Sequence, residues 1–465
     1  MYSQQQNFVQ TLNGEFFLNG TKFTPAGFNV YYLQEAASYP EMRDAVEDVF
    51  RAASIAGLNT VRTWAFNNTN GVVSNAVIQN EPGNYLEEGL RSLDYVISKA
   101  REYNIKLVLV FGNNFPEYGG INIYLEWAKR DLNITNPSKK HFFTDERIKN
   151  WYKDYITFLV NRVNFYTGIA YKDDTTILAF ELMNEAENVA GNYRDILSWY
   201  DDLGRHFKSV NTNHLLGTGE TGFDNYSNFY PSPLLFWNGV KFLINGVKGT
   251  SFFYNSGLDV IDYASVHAYP ETWGMNIRGG SNWIAGHEKI ALALNKPLLI
   301  GEAGIINSDT AKLAGIFEEA LKTKSKGLLL WQYKSGYAAT KIDRYSFNFV
   351  ENPGVKKLYE DYLKSVNSPD TVPYFQPASF SVKSFPNPFS ENVTVQINLT
   401  TAGYTDASVY SITGEKIAVL YKGNLNRGSH NFTLAPDTKY LASGVWFCLV
   451  RVGDEVTVHR MMFVK

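Results

Sequence analysis

With one cysteine in 465 residues, the chain cannot form an internal disulfide. Its stability must come from buried apolar surface, which a chain of this length can supply, so the shortage of cysteine does not exclude an extracellular protein. Charge of either sign is also not in excess. The 43 Lys and Arg against 46 Asp and Glu leave a formal charge of −3, which gives no reason to expect nucleic acid or an acidic membrane as partner. No apolar run is long enough to span a bilayer. The opening residues, Met1-Tyr-Ser-Gln-Gln-Gln6, contain no apolar signal region. Either the protein is cytoplasmic, or an export signal was removed before the numbering begins.

Several chemical signatures are missing too. The seven histidines include no His-Glu-x-x-His pattern and no clustered Cys/His set, so no metal site is expected. The absence of a Gly-x-Ser-x-Gly elbow argues against an esterase of the α/β-hydrolase type. Gly217-Thr-Gly219-Glu-Thr-Gly222 has dinucleotide-binding spacing, but the residues from Phe223 to Pro231 do not read as the helix such a site requires. No cofactor is expected.

Aromatics are plentiful, at 15%. Pyranose rings pack on aromatic faces, which is weak support for sugar binding; an aromatic-rich core is the better explanation of the composition alone. Two regions differ in pattern. Up to about residue 366, short β-rich runs alternate with amphipathic stretches. Strands are expected at Phe23–Val30, Thr60–Trp64, Lys106–Phe111, Thr176–Leu182, His214–Gly217, Val260–Val266, Pro297–Gly301 and Gly327–Trp331. The clearest helical stretches are Glu41–Ala56, Leu86–Tyr103, Glu146–Phe165, Arg194–Val210 and Ala311–Thr323. This alternation predicts an α/β domain, a (β/α)8 TIM barrel over residues 1–366, with a doubly wound open sheet as the alternative. Residues 367–379, rich in Pro and Ser, read as a linker. Residues 380–465 hold only short alternating runs separated by turn residues and predict a small all-β sandwich.

Barrel enzymes work where their strands end, at the C-terminal face. Those ends read Arg62-Thr-Trp64, Gly112-Asn-Asn-Phe115, Asn184-Glu185, His267-Ala-Tyr269, Gly301-Glu302 and Trp331-Gln332. Each residue alone has an ordinary explanation: a capping or ion-paired Glu, a satisfied core histidine, a packed Trp. Together they supply what glycoside hydrolysis needs, namely an acid, a second carboxylate for attack or for activating water, polar neighbours to set their protonation, and an aromatic floor.

The stretch from His141-Phe-Phe-Thr-Asp through Tyr171-Lys-Asp-Asp-Thr-Thr to Phe180-Glu-Leu-Met-Asn-Glu185 resembles glycoside hydrolase family 5. So do Asn59-Thr-Val-Arg-Thr-Trp64, Val266-His-Ala-Tyr-Pro-Glu-Thr-Trp273 and Lys296-Pro-Leu-Leu-Ile-Gly-Glu302. The resemblance is closest to the endo-β-1,4-mannanases and covers residues 10 to 365. It implies a retaining mechanism, with Glu185 as acid/base and Glu302 as nucleophile about 5–5.5 Å apart. It implies that Asn184 binds the sugar 2-hydroxyl, that Arg62, His267 and Tyr269 orient the carboxylates, that Trp331 is the floor, and that Trp64 and Trp273 line neighbouring subsites. Arg62 is expected to keep Glu302 ionised, while Glu185 needs a raised pKa to stay protonated. The implied substrate is β-mannan or a related plant polysaccharide. A β-1,4-glucanase, an exo-mannosidase and a non-catalytic carbohydrate-binding protein are the rivals, the last disfavoured because both carboxylates are present.

Three positions depart from the family pattern. Glu187 stands where relatives often have Arg, Glu220 lies one place early after the fifth strand, and Phe115 replaces a Trp.

At the other end, Ser384-Phe-Pro-Asn-Pro-Phe389, Val409-Tyr-Ser-Ile-Thr-Gly414, Ala442-Ser-Gly-Val-Trp446 and Met461-Met-Phe-Val-Lys465 resemble the C-terminal sorting domain of the type IX secretion pathway. This implies a secreted or cell-surface protein whose partner is that machinery. A polysaccharide-binding sandwich is the alternative.

Overall fold

The computed structural model describes residues 7–189, 191–225, 238–335, 342–368, 380–411, 416–435, 444–453 and 455–464. They form two compact units, one reaching Asn367 and the other running from Ser368 onward. The expected linker from residue 369, the stretch 226–231 after the glycine-rich Gly217–Gly222 segment, and the sorting-motif residues 412–415, 442–443 and 465 lie outside the described residues.

The first unit contains eight parallel strands: β1 Ala26–Asn29, β2 Thr60–Trp64, β3 Lys106–Val110, β4 Ile177–Glu181, β5 Leu215–Gly217, β6 Ala264–Ala268, β7 Leu298–Ala303 and β8 Gly327–Leu330. They pair in the order β5-β4-β3-β2-β1-β8-β7-β6. Consecutive strands are therefore neighbours, and β1 sits against β8 as well as β2. An open sheet would reverse direction at a switch point; this order instead wraps into a barrel. The β5–β6 seam has no ladder. It is stitched by the Asp262 amide donating to Leu216 O at 2.8 Å and the His267 amide donating to Thr221 O at 3.1 Å.

The strands are buried along almost their whole length because the barrel interior is filled and helices cover the outside. An antiparallel meander, Gln10–Leu12, Glu15–Leu18 and Thr21–Phe23, precedes β1. Its Phe16, with nearby Val9, packs against Val108, Leu178, Leu215, Leu299 and Leu329 from the strands. The N-terminal end of the barrel is thus plugged with apolar side chains, and polar chemistry is left to the opposite end.

The main helices are α1 Arg43–Ile55, α2 Glu87–Glu102, α3 Glu146–Asn161, α4 Tyr193–Val210, α5 Ile277–Ala293, α6 Thr310–Lys322 and α7 Pro353–Asn367. Local chemistry sets several boundaries. Asp145, Asn192 and Asp309 cap α3, α4 and α6 by accepting backbone N–H bonds in the first turn. Helix α3 stops four residues short of the expected Phe165. There, fully buried Asp94 takes a two-pronged bond from Arg162 and accepts from the Phe165 amide, and the Asn164 side chain turns the chain at Tyr166 and Thr167. Strand β6 begins four residues later than expected because Asp262 is engaged at the seam, its carboxylate accepting from the Leu216 amide. Pro25 splits the expected Phe23–Val30 run, leaving Phe23 in the meander and β1 starting at Ala26.

The second unit is all antiparallel β. One sheet holds β9 Phe380–Phe385, β10 Val393–Leu399 and β13 Gly428–Leu434; the other holds β11 Gly403–Ser411, β12 Lys416–Leu425, β14 Gly444–Val452 and β15 Glu455–Phe463. Strand β10 buries alternate residues Val393, Val395, Ile397 and Leu399 against Ala407, Val409, Trp446, Cys448 and Val450 from the other sheet. This period of two is the mark of a sandwich. Asn387 mimics a strand: its side chain accepts from the Met462 amide and donates to Arg460 O, tying the Pro-Asn-Pro-Phe segment to β15.

Candidate active site

Arg62 organises the open end of the barrel. It lies mid-strand in β2 with its side chain inward and is 1% exposed. Its Nε donates to Glu181 Oε2 at 2.7 Å, one terminal nitrogen to Glu302 Oε1 at 2.6 Å and to Asn29 Oδ1 at 3.1 Å, and the other to Asn184 Oδ1 at 2.8 Å. Only the planar guanidinium fork can serve four partners in this way. Burial works against its charge, but Glu181 and then Glu302 outweigh that effect and hold its pKa above the ordinary value. Asn29 also donates to Gly301 O at 2.8 Å, which anchors the backbone next to Glu302.

Glu302 ends up with a donor on each oxygen. Arg62 holds Oε1, and the Tyr269 hydroxyl donates to Oε2 at 2.6 Å. Burial, with the charge of Glu302 next, keeps the Tyr269 phenol well above its ordinary pKa, so it remains a donor. Across the cleft, Glu185 Oε1 lies 2.6 Å from His267 Nδ1, which is also 3.4 Å from Glu302 Oε2. One oxygen from each carboxylate and a His267 nitrogen lie within 4.8 Å of one another. That spacing fits the close carboxyl pair of retaining enzymes and not the roughly 6.5–9.5 Å of inverting ones. The same three groups could be considered as ligands for a cation. However, Arg62 and Tyr269 already occupy both oxygens of Glu302, and a guanidinium at 2.6 Å opposes a second positive charge there.

The two carboxyls titrate as a pair. Burial raises Glu302, with Glu185 adding to the rise and His267, Arg62 and Tyr269 opposing it. Burial would raise Glu185 as well, but the His267 bond carries it below the ordinary value. This is the reverse of the expectation that Arg62 would keep Glu302 ionised while Glu185 rose. Arg62 shares its charge with Glu181, and His267 sits on Glu185. In the sugar-free protein a proton shared by the pair is therefore drawn toward Glu302, and the arrangement with Glu185 protonated is the less favoured one.

The backbone here is unusual. Glu185 has φ 53°, in the left-handed region, which costs a non-glycine residue about 1–3 kcal/mol. It is held there by its amide donating to Gly219 O at 2.7 Å, while the neighbouring Asn184 amide donates to Gly112 O at 2.8 Å. The ends of β3 and β5 thus fix the aim of Glu185. Asn184 is equally constrained. Its Oδ1 accepts from Arg62 and its Nδ2 donates to Asn113 at 3.1 Å, leaving one N–H of that amide for another acceptor.

These groups lie at the base of a cleft of roughly 520 Å³. Glu185, Glu302, Trp64, Asn184, Tyr269, Trp273 and Trp331 line it. Arg62 and His267 do not; both are fully buried and reach the carboxylates from beneath. Tyr31 stacks on Trp331 with ring centres 5.5 Å apart and 6° between planes, and the Trp331 indole N–H donates to Asp343 at 2.7 Å. Of the three departures, Glu187 and Phe115 line the cleft, whereas Glu220 is buried away from it. Glu181, Asn29, Tyr31 and Asp343 are absent from the sequence-based set. Glu181 and Asn29 close β4 and β1, so the same strand-end rule would have found them. Tyr31 and Asp343 lie on loops and carried no signal.

The profile described as "GH family 5 beta-mannosidase-like" matches residues 6–232, and one described as "Secretion system C-terminal sorting domain" matches residues 383–465. Mannan endo-1,4-beta-mannosidase 3 of Arabidopsis thaliana is 35% identical over 65% of this chain and 72% of its own. Mannan endo-1,4-beta-mannosidase 5 of Solanum lycopersicum is 33% identical over 76% of this chain and 87% of its own. Among solved structures, the hyperthermostable endo-1,4-beta-D-mannanase of Thermotoga petrophila RKU-1 aligns with a TM-score of 0.65 at 27% identity, covering 73% of this chain and 99% of that one.

Proposed function

The chain belongs to glycoside hydrolase family 5, and on that premise we propose that Glu185 and Glu302 carry out a retaining double displacement on β-1,4-mannan. The protein is an endo-β-1,4-mannanase, cutting internal mannosidic bonds of mannan, glucomannan or galactomannan. The observation that carries the residue assignment is the carboxylate pair, with oxygens within 4.8 Å, one held by Arg62 and Tyr269 and the other by His267.

In the first step a Glu302 oxygen attacks the anomeric carbon while protonated Glu185 gives its proton to the departing glycosidic oxygen. A mannosyl ester on Glu302 results. In the second step Glu185, now a carboxylate, takes a proton from water, the water oxygen attacks the same carbon, and Glu302 leaves; two inversions give net retention. Arg62 and Tyr269 keep Glu302 in line and stabilise it as leaving group. The remaining Asn184 N–H reaches the 2-hydroxyl, a contact that strengthens as charge develops at the neighbouring carbon. Trp331, braced by Tyr31 and Asp343, forms the floor beneath the reacting sugar. Trp64 and Trp273 line adjacent subsites.

Glu302→Gln tests the assignment. Turnover of mannopentaose should vanish while its binding, measured by calorimetry, is kept. Substantial residual hydrolysis of an activated aryl mannoside would remove Glu302 from the nucleophile role. Product analysis on mannan, glucomannan and cellulose separates this reading from a β-1,4-glucanase.

The sorting-domain match indicates export to the cell surface or beyond, and among the described residues no helix is long and apolar enough to cross a membrane. We assign residues 1–366 to the catalytic barrel, 367–379 to a linker and 380–465 to an address read by the type IX secretion machinery.

A further inference from the structure

The cleft has two unlike walls. Tyr31, Trp64 and Trp331, from the ends of β1, β2 and β8, make one of them aromatic. The opposite wall, following β4, β5 and β6, also carries the rings of Phe223, Tyr269 and Trp273 but adds a charged pair: Lys248 Nζ lies 2.9 Å from Glu187 Oε2. Both side chains are mostly buried, at 25% and 11% exposure. A carboxylate so covered needs a partner, and this pair is firmly placed. The Lys248 ammonium also sits 4.8 Å over the Phe223 ring. The Asn188 amide donates to Lys248 O at 2.9 Å, joining the loop after β5 to the loop after β4. Gly249, at φ 63°, fits there because an added Cβ would stand 2.0 Å from Asn188 O.

Glu187 is two residues beyond Glu185, the proton donor. The half of the substrate that departs with that proton must pass over the wall on Glu185's side. An ammonium with N–H groups beyond the one aimed at Glu187, next to a carboxylate with spare lone pairs, matches adjacent sugar hydroxyls, which both donate and accept. We propose that Glu187 and Lys248 form a pre-placed hydroxyl-binding pair for the sugar on the leaving-group side of the scissile bond. The inference rests on the assignment of Glu185 as acid/base. The pair makes the enzyme favour a sugar leaving group over an aryl one, because an aryl group offers it no hydroxyl.

The test compares kcat/KM for mannopentaose with kcat/KM for an aryl β-mannobioside, in the full chain and in Lys248→Met, Lys248→Arg and the Glu187→Gln/Lys248→Met double variant. One lost hydrogen bond to a charged group corresponds to about a tenfold change or more. The ratio of the two constants should fall by about that factor in Lys248→Met and recover largely in Lys248→Arg. The double variant buries no lone charge, so it carries the test if Lys248→Met fails to fold. A ratio unchanged within about twofold in the double variant, or no recovery with Arg, overturns the proposal. A wild-type protein that cuts neither substrate would overturn the functional reading itself.

Discussion

Tyr269→Phe removes a single oxygen and tests how Glu302 is kept ready to attack. The hydroxyl donates to Glu302 Oε2 at 2.6 Å, and the ring is set by Tyr345 at 5.2 Å and Trp273 at 6.4 Å, so the Phe ring should stay in place. Burial pushes Glu302 up, and the Tyr269 bond is one of the forces pulling it back. Without that bond the carboxylate form is less favoured. In the proposed mechanism Glu302 reacts as a carboxylate, so the acid limb of the pH profile should move to higher pH. A hydrogen bond to a charged group contributes about 1.5–3 kcal/mol, and about 1.4 kcal/mol corresponds to one pH unit. The acid limb of kcat/KM should therefore rise by about one to two pH units. The measurement is kcat/KM for mannopentaose from about pH 3 to pH 9, with circular dichroism to confirm the fold. Activity near neutrality should be partly kept and activity in mild acid lost. A uniform fall with an unmoved acid limb would mean that Tyr269 acts by placing substrate. A limb displaced to lower pH would refute the electrostatic argument outright.

Two further outcomes follow from the same structure. Glu220 is buried, and burial raises its pKa from 4.5 to about 8. The folded state therefore binds the extra proton between those values, and its stability falls as pH rises through that window. Glu220→Gln keeps an acceptor for the Asn255 side chain, 3.1 Å away, so its Tm advantage over wild type should grow from acid to mildly alkaline pH; an advantage that does not vary with pH would contradict this. Deleting residues 380–465 should leave mannan turnover unchanged while stopping export in the native host. If deletion instead abolishes binding to insoluble mannan, the second unit is a polysaccharide-binding sandwich.

Much of the barrel was legible in the chain because fully buried parallel strands are short, apolar and bounded by polar ends. Thr60–Trp64 has the bounds read from the sequence, since nothing in its pattern competes with a strand. Boundaries shifted where a distant partner intervened: Asp94 ended α3, and the seam contact of Asp262 delayed β6. Short or weakly patterned elements, such as the meander at Gln10–Phe23 and helix α5 with its internal glycines, left little periodic signal.

By itself the sequence determined which residues stand at the strand ends, because short apolar runs bounded by polar residues mark where each buried strand stops. It therefore supplied the two carboxylates, 185 and 302, and their polar company. Only the tertiary structure decided how these groups are shared. Arg62 serves Glu181 and Asn29 as well as Glu302, His267 sides with Glu185, Arg62 and His267 work from below the cleft, and Lys248 meets Glu187 across two loops. Hydrogen bonds and burial depend on distances between segments far apart in the chain, and no local pattern encodes those distances. Closing the barrel sets them.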